Sequence, residues 1–460
     1  MHHKWYNATE VVVENAEGAT YLHSETIEVN RLSALAFFAA GASYKGKRYF
    51  WQNRAQTKTI VGLGHAFVIA NDAGAKRFDD VETKWKQFTQ NIEVEDEDIQ
   101  PILFGSFSFD PENEVKAEWC DFPQSAFFLA SFQLVMKNDR SYVTVHLLSK
   151  NKYAHTEMEA LRKERDHLIH AAQVKEVRTY DKPVVKEYTE PFKEEYLKSI
   201  KDVTSQIKAG HAEKVVIARS LELNFEDDVT SAQVLSHVKN EQPESYLFGL
   251  ESDEFLFFGA SPERLVRVEN GKAYSSCVAG SIKRGQTAEE DEILGLALLT
   301  DDKNLGEHHY VVEMITEIFK KNCIHVEVPS GPKLLKIRDI QHLFTPVEGQ
   351  LQEGATILQL VKLLHPTPAL GGVPREAALG MIRRYEPMNR GLYAAPIGWV
   401  DVKGNGEFAV AIRSALLKNG KAYLYAGGGI VGDSTPVAEY EETLVKFRPM
   451  LRALGGQIHE

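Results

Sequence analysis

The stretch at 425–446, YAGGGIVGDSTPVAEYEETLVK, limits what this chain can be more than any other. A strand pattern runs into Gly427, Gly428 and Gly429. Glycine lets the backbone approach a ligand and present bare N–H groups, so this reads as an anion-binding turn. Ser434-Thr435-Pro436 follows, a helix start with a hydroxyl cap and a proline in the first turn. In the helix beyond it, Glu439, Glu442 and Lys446 stand at i, i+3 and i+7 and share a face. Carboxylates beside an anion site repel the anion unless a cation stands between them. Mg²⁺ is the economical choice, since it takes one or two carboxylates together with substrate oxygens. A solvated helix with ordinary charge pairs is the plain alternative.

Composition narrows the class. An apolar content of 43% and a charged content of 26% describe a globular chain long enough for a large core. The net charge of -12 argues against nucleic acid, which asks for a basic patch. Cys120, Cys277 and Cys323 are odd in number and widely spaced, so neither a disulfide framework nor a zinc pattern is expected. With no long apolar run and no signal-peptide pattern, the expectation is a cytoplasmic protein without a membrane segment.

Residues 1–150 read as mixed strands and helices without a catalytic constellation. A polar, lysine-rich segment at 175–193 marks a boundary between an N-terminal α+β portion, 1–185, and a second portion, 190–455. In the second portion, 213–220 alternates as a strand with Lys214, Val216 and Ala218 on one face. Glu263 sits at a strand end just before the Asn270-Gly271 hairpin signal. Glu307 shares a helical face with Val311, Met314 and Ile318; a carboxylate buried there must be neutral, paired or on a metal. Three strands are expected at 391–402, 407–417 and 422–426, joined at Asn405-Gly406 and Asn419-Gly420 as an antiparallel meander. Strict alternation through the middle strand puts Arg413 among alanines on one face, a surface suited to a planar anion. For each of these residues an ordinary ion pair or a snorkelling side chain is the bland counterpart.

Nine segments, EKVVIARS, FGASPERL, VAGSIKRG, KNLGEHHYVV, IQHLFTPVEG, HPTPALGG, GLYAAPIGW, FAVAIRSALL and AGGGIV with EYEETLVK, together resemble the chorismate-utilising enzymes. That family includes isochorismate, salicylate, anthranilate and aminodeoxychorismate synthases. The segments occur in the family's order from residue 192 onward. The resemblance implies an α+β fold of large antiparallel sheets packed as a sandwich with helices outside. It implies Mg²⁺ as cofactor, with Glu307 and Glu442 as ligands and Glu439 beside them. It implies Lys214 as the base that activates water and Glu263 as the general acid. Gly280, Ser281, Tyr393, Arg413, Gly427, Gly428, Gly429 and Lys446 match substrate-carboxylate contacts, and His342 matches a histidine near the ring. Where the family's synthases often carry a glutamate three residues before the position of Glu307, this chain has Asn304.

Two positions separate the family's branches. Aminating members carry glutamine in place of Lys214, and aminodeoxychorismate synthases carry a nucleophilic lysine in place of Ala279. Both residues here imply water as nucleophile, and the long N-terminal portion favours isochorismate synthase of the menaquinone type. A salicylate synthase is the alternative within the family. An ammonia-using amidotransferase subunit or a non-catalytic chorismate-binding protein would be a different class. The expected partner is the small molecule chorismate, without nucleic acid, membrane or an obligatory protein.

Overall fold

Stretches of β-branched and aromatic residues pair antiparallel throughout, and they assemble into one fourteen-stranded and one ten-stranded sheet. The structure is a computed structural model and describes residues 3–456 apart from 6–8, 15, 17, 31, 94–98, 114–116, 175–179 and 419. Aromatic side chains from the facing surfaces fill the space between the sheets: Tyr49 of the larger sheet stacks on Phe104 of the smaller, ring centroids 4.5 Å apart. Helices cover the outer faces. Ala34–Ala40, His155–Val174, Ser231–Glu241 and Pro436–Ala453 bury apolar side chains against the larger sheet. Arg77–Thr89, Asp302–Asn322 and Ile357–Leu364 do so against the smaller. The α+β sandwich expected from the sequence is the fold observed.

Strands from the first 150 residues continue both sheets. Arg48–Gln52 pairs with Tyr246–Ser252 in the larger sheet, and Ile102–Phe107 pairs with Pro396–Asp401 in the smaller. Within the polar segment at 175–193, Val185–Thr189 forms an edge strand against Lys214–Phe225.

The C-terminal strands differ from the expected meander. The first begins only at Pro396 and leaves Tyr393 in a turn. The stretch at 407–417 is two strands, Gly406–Val410 in the smaller sheet and Ser414–Lys418 in the larger. Between them Arg413 takes φ 50°, a left-handed conformation that breaks the alternation. Every residue of both strands except Lys418 is buried, so the hydrophobic pattern runs on unbroken while the chain changes sheets. Asn419 lies outside the described residues.

A second crossing runs beside the first. Phe255–Ser261 belongs to the larger sheet and Arg264–Glu269 to the smaller, with Pro262 and Glu263 between them. The two crossings are tied by Ala260 N–H to Arg413 O (3.0 Å) and Val410 N–H to Glu263 O (3.1 Å).

One buried ion pair anchors the N-terminal strand. The Arg48 guanidinium grips Glu251 through Nε to Oε2 (2.8 Å) and Nη2 to Oε1 (2.6 Å). Ser231 at the start of a helix donates to the same carboxylate. Removing the cation leaves a buried carboxylate without its partner, which costs about 3–5 kcal/mol. Arg48→Met is expected to lower the unfolding free energy by that amount, read as a lower urea midpoint. An unchanged midpoint overturns this account of the junction.

Candidate active site

The cleft opens where the two crossings meet the strands Lys421–Ile430 and Lys272–Lys283, and it encloses about 230 Å³. The three glycines lie inside the strand rather than in a turn: Gly427, Gly428 and Gly429 pair with Ala218, Ile217 and Val216. On the opposite side, pairing with Ser414–Lys418 stops at Tyr425. The strand therefore runs past its neighbour, and Gly427 and Gly429 line the cleft. Close approach explains the missing side chains. A Cβ on Gly429 would stand 2.7 Å from Lys214 Cε and 3.2 Å from Glu307 Oε1; one on Gly428 would stand 2.9 Å from Glu439 Oε2.

Lys214 begins its strand with its side chain 1% exposed, and its ammonium is ion-paired with Glu307. The partner expected for a carboxylate on that helix is thus a lysine 93 residues away. Glu307 itself flanks the buried stripe of its helix, His308, Val311, Ile315 and Phe319, and remains about a quarter exposed.

Glu263 lines the same cleft from the crossing. Burial pushes its carboxyl up to about 8, only partly opposed by the charges of Lys214 and Arg413. At neutral pH it is an acid that keeps its proton. Burial also pushes the His342 imidazole down to about 3, with Arg413 and Lys446 adding to the effect, so the ring is neutral. Its Nε2 is buried without a partner.

Helix Pro436–Ala453 presents Glu439, Glu442 and Lys446 to the cleft together, as their spacing requires. The expected hydroxyl cap takes another form. Thr435 makes no side-chain cap, whereas Ser434 Oγ donates to Glu439 Oε1 (2.6 Å). Glu439 Oε2 is buried and unpartnered. Lys446 Nζ sits 2.6 Å from Glu442 Oε1 and donates to Gly427 O at 2.7 Å. Three carboxylates on one cleft, one with an orphaned oxygen, form an all-oxygen donor set of the kind a hard divalent cation takes. Among the described residues no three such groups are already drawn into a cage.

Groups that receive an anion line the same space. Among the described residues the Arg413 guanidinium makes no hydrogen bond, and Tyr393 lies beside it on the cleft wall. Gly280 at φ 75° makes a bulge that separates Ala279 from Ser281, and Ser281 pairs with His342 on the next strand. The Ser281 N–H is taken by Asn304 Oδ1 (3.2 Å). Asn304 thus supports the bulge instead of supplying a second carboxylate. All the residues singled out in the sequence converge here, Lys214 through its contact with Glu307 and Gly428 through its approach to Glu439.

Sequence reading missed several supports. Glu386 and Arg390 form a buried bidentate pair, whose outer bonds go to Ala218 N–H and to the carbonyls of Val216 and Leu370. His308 Nδ1–H donates to Ala279 O (3.2 Å), and its Nε2 bonds Thr345 Oγ1 (2.8 Å) behind the bulge. Lys303 stands on the cleft wall without having drawn notice. The YEPMNRG stretch around Glu386 offered only a charge pair four residues apart, outside any helical pattern.

A family model described as chorismate binding enzyme matches residues 7–455. The chain belongs to the chorismate-binding enzymes. It is 44% identical to the isochorismate synthase MenF of Bacillus subtilis over 95% of this chain and 94% of that protein. It is 35% identical to the salicylate biosynthesis isochorismate synthase of Pseudomonas aeruginosa, over 95% and 91%. The structure of MenF, the menaquinone-specific isochorismate synthase from Escherichia coli, superposes with a TM-score of 0.80 at 24% identity, covering 98% and 96% of the two chains, and shares the fold.

In this chorismate-binding enzyme the raised Glu263 carboxyl has a consequence for stability. The group titrates at its usual 4.5 when unfolded and at about 8 when folded. Between those values the native chain holds the extra proton, so stability falls as pH rises from about 4.5 and levels off above about 8. Glu263→Gln is neutral throughout and escapes that loss. Its advantage over the parent is expected to grow by on the order of 2–4 kcal/mol between pH 5 and 9, read from urea unfolding. A gap independent of pH overturns the assignment of a neutral Glu263.

Proposed function

We propose that this enzyme is an isochorismate synthase. It adds water at C2 of chorismate and expels the C4 hydroxyl as water, so the product is an isomer. One observation carries the reading: a glutamate held in its acid form lines the cleft, a buried lysine is paired with a second glutamate of that cleft, and the cleft also offers an unengaged guanidinium. The 44% identity to a relative named isochorismate synthase MenF over nearly the whole of both chains supports it.

Lys214 acts as the base toward water in its neutral amine form, after its ammonium has given up a proton, and Glu263 delivers a proton to the departing C4 oxygen. A base and an acid of this kind sit on different elements here, Lys214 on a strand of the larger sheet and Glu263 on the crossing. Arg413, Tyr393 and the open edge at Gly427 and Gly429 receive the carboxylates of the substrate, with Gly280 and Ser281 shaping the wall opposite. The neutral His342 ring lies against the substrate ring without adding charge. Glu307 and Glu442, with Glu439 beside them, would hold Mg²⁺. When bound, that ion supplies positive charge at the ring carboxylate, where negative charge builds during the rearrangement.

We assign the site to residues 190–455 and the completion of both sheets to 1–185. Among the described residues no helix is long and apolar enough to cross a membrane, and we place the enzyme in the cytoplasm, acting without an obligatory protein partner. The pathway we assign is menaquinone biosynthesis. Salicylate formation, by further loss of pyruvate, is the second reading; the relative from salicylate biosynthesis is itself named an isochorismate synthase.

Incubation with chorismate and Mg²⁺ followed by product separation tests the assignment. Isochorismate without salicylate is expected. Lys214→Ala and Glu263→Gln are each expected to lower turnover by ~10²–10⁴ while chorismate still binds. In the parent, activity falls as pH rises through the Glu263 value, because the acid must carry its proton. Either variant turning over at the parental rate removes that residue from the mechanism.

A further inference from the structure

The two carboxylates best placed to hold a cation are already engaged. Glu307 is closed on Lys214 and Glu442 on Lys446. Glu439 is held on one side by Ser434 and has one open oxygen. Against the three carboxylates the cleft sets Lys214, Lys446 and the Arg413 guanidinium, with Lys303 also on its wall. Even without Lys303 these cations match the three carboxylates one for one before any ion or substrate enters. A divalent cation added alone brings two positive charges to carboxylates whose neutralisation is complete.

We propose that Lys214 and Lys446 are exchangeable counter-ions of the cation site: each ammonium occupies a carboxylate that the metal takes, and metal binding breaks both pairs. The proposal rests on the reading of Glu307 and Glu442 as metal ligands and says what those ligands do without the metal. Mg²⁺ needs near-octahedral oxygen contacts at about 2.0–2.1 Å, and an ammonium hydrogen-bonded to the same carboxylate competes for its charge and its lone pairs. The exchange has a use. Lys446 is anchored to Gly427 O on the cleft-facing edge of the glycine strand, so release from Glu442 leaves its charge beside the substrate. Lys214 is buried next to Gly429, a residue of the cleft wall, so release from Glu307 leaves its ammonium at that edge of the cleft. Metal and dianionic substrate then enter as a balanced pair, and metal alone is held weakly.

Mn²⁺ serves as the probe, its binding to the full chain without chorismate followed by the loss of the free-ion electron paramagnetic resonance signal. Lys214→Met and Lys446→Met remove the competitors. Lys303→Met is the control: Lys303 acts on Glu439 and Glu442 through its charge but makes no ion pair among the described residues. Lys446→Arg keeps the pair. The expectation is Mn²⁺ affinity about tenfold tighter in Lys214→Met and about threefold tighter in Lys446→Met. Lys303→Met should change it by less than about twofold, and Lys446→Arg should match the parent. Tightening no greater in the two paired lysines than in Lys303→Met overturns the exchange and leaves the metal reading standing. If parent and variants bind no Mn²⁺, with or without chorismate, the metal reading fails and the exchange fails with it.

Discussion

The site depends on two lengths of chain that change sheets side by side. Glu263 and Arg413 each occupy such a crossing, and the crossings are bonded to each other by Val410 to Glu263 and Ala260 to Arg413. A residue inside a regular strand can look only up or down from its sheet. A residue at a crossing looks into the corner between the sheets. The acid and the guanidinium acquire their common cleft in this way. A non-glycine residue in the left-handed region costs roughly 1–2 kcal/mol, and Arg413 bears that cost at φ 50°. The paired crossings hold it there, which fits a strained residue kept for what its side chain reaches.

Charge in the corner is arranged by burial and by partners, in different places. Glu263 has no hydrogen-bonding partner for its carboxyl among the described residues, so desolvation dominates and the group stays protonated. Lys214 is just as deeply buried but meets Glu307, and the pair satisfies both charges. The difference lies in what each faces. Lys214 faces a carboxylate within bonding distance, whereas Glu263 feels Lys214 and Arg413 through their charge alone, without a hydrogen bond to either. Behind them Glu386 and Arg390 fasten the lysine strand through Ala218 and Val216, so Lys214 starts from a fixed backbone.

What was legible in the sequence follows from the range of each interaction. The alignment of Glu439, Glu442 and Lys446 is a property of one helix, and it came through intact. The Asn270-Gly271 turn is local too, and its flanking residues Glu269 and Lys272 pair directly. The crossing at 411–413 was invisible, because a chain that leaves one buried strand for another keeps its apolar pattern and changes only a torsion angle. The glycines were read as a turn for a related reason: residues that leave room for a lysine and a glutamate from elsewhere look, in sequence, like residues that let the chain bend. The resemblance to a family brought Lys214 and Glu307 into one site, yet their direct pairing is a contact across 93 residues that no spacing encodes.

Among the described residues the N-terminal strands carry none that lines the cleft, but they extend both sheets that form it. Without them Tyr246–Ser252 and Pro396–Asp401 would be edge strands, each with a row of unpaired backbone groups next to the crossings. The crossing strands themselves are paired on each side by strands of the second portion, so the N-terminal strands act one strand further out. They close the ladders of Tyr246–Ser252 and Pro396–Asp401, and each crossing is held by ladders before and after it. The first 150 residues therefore stiffen the sheets around Glu263 and Arg413 without touching the crossings.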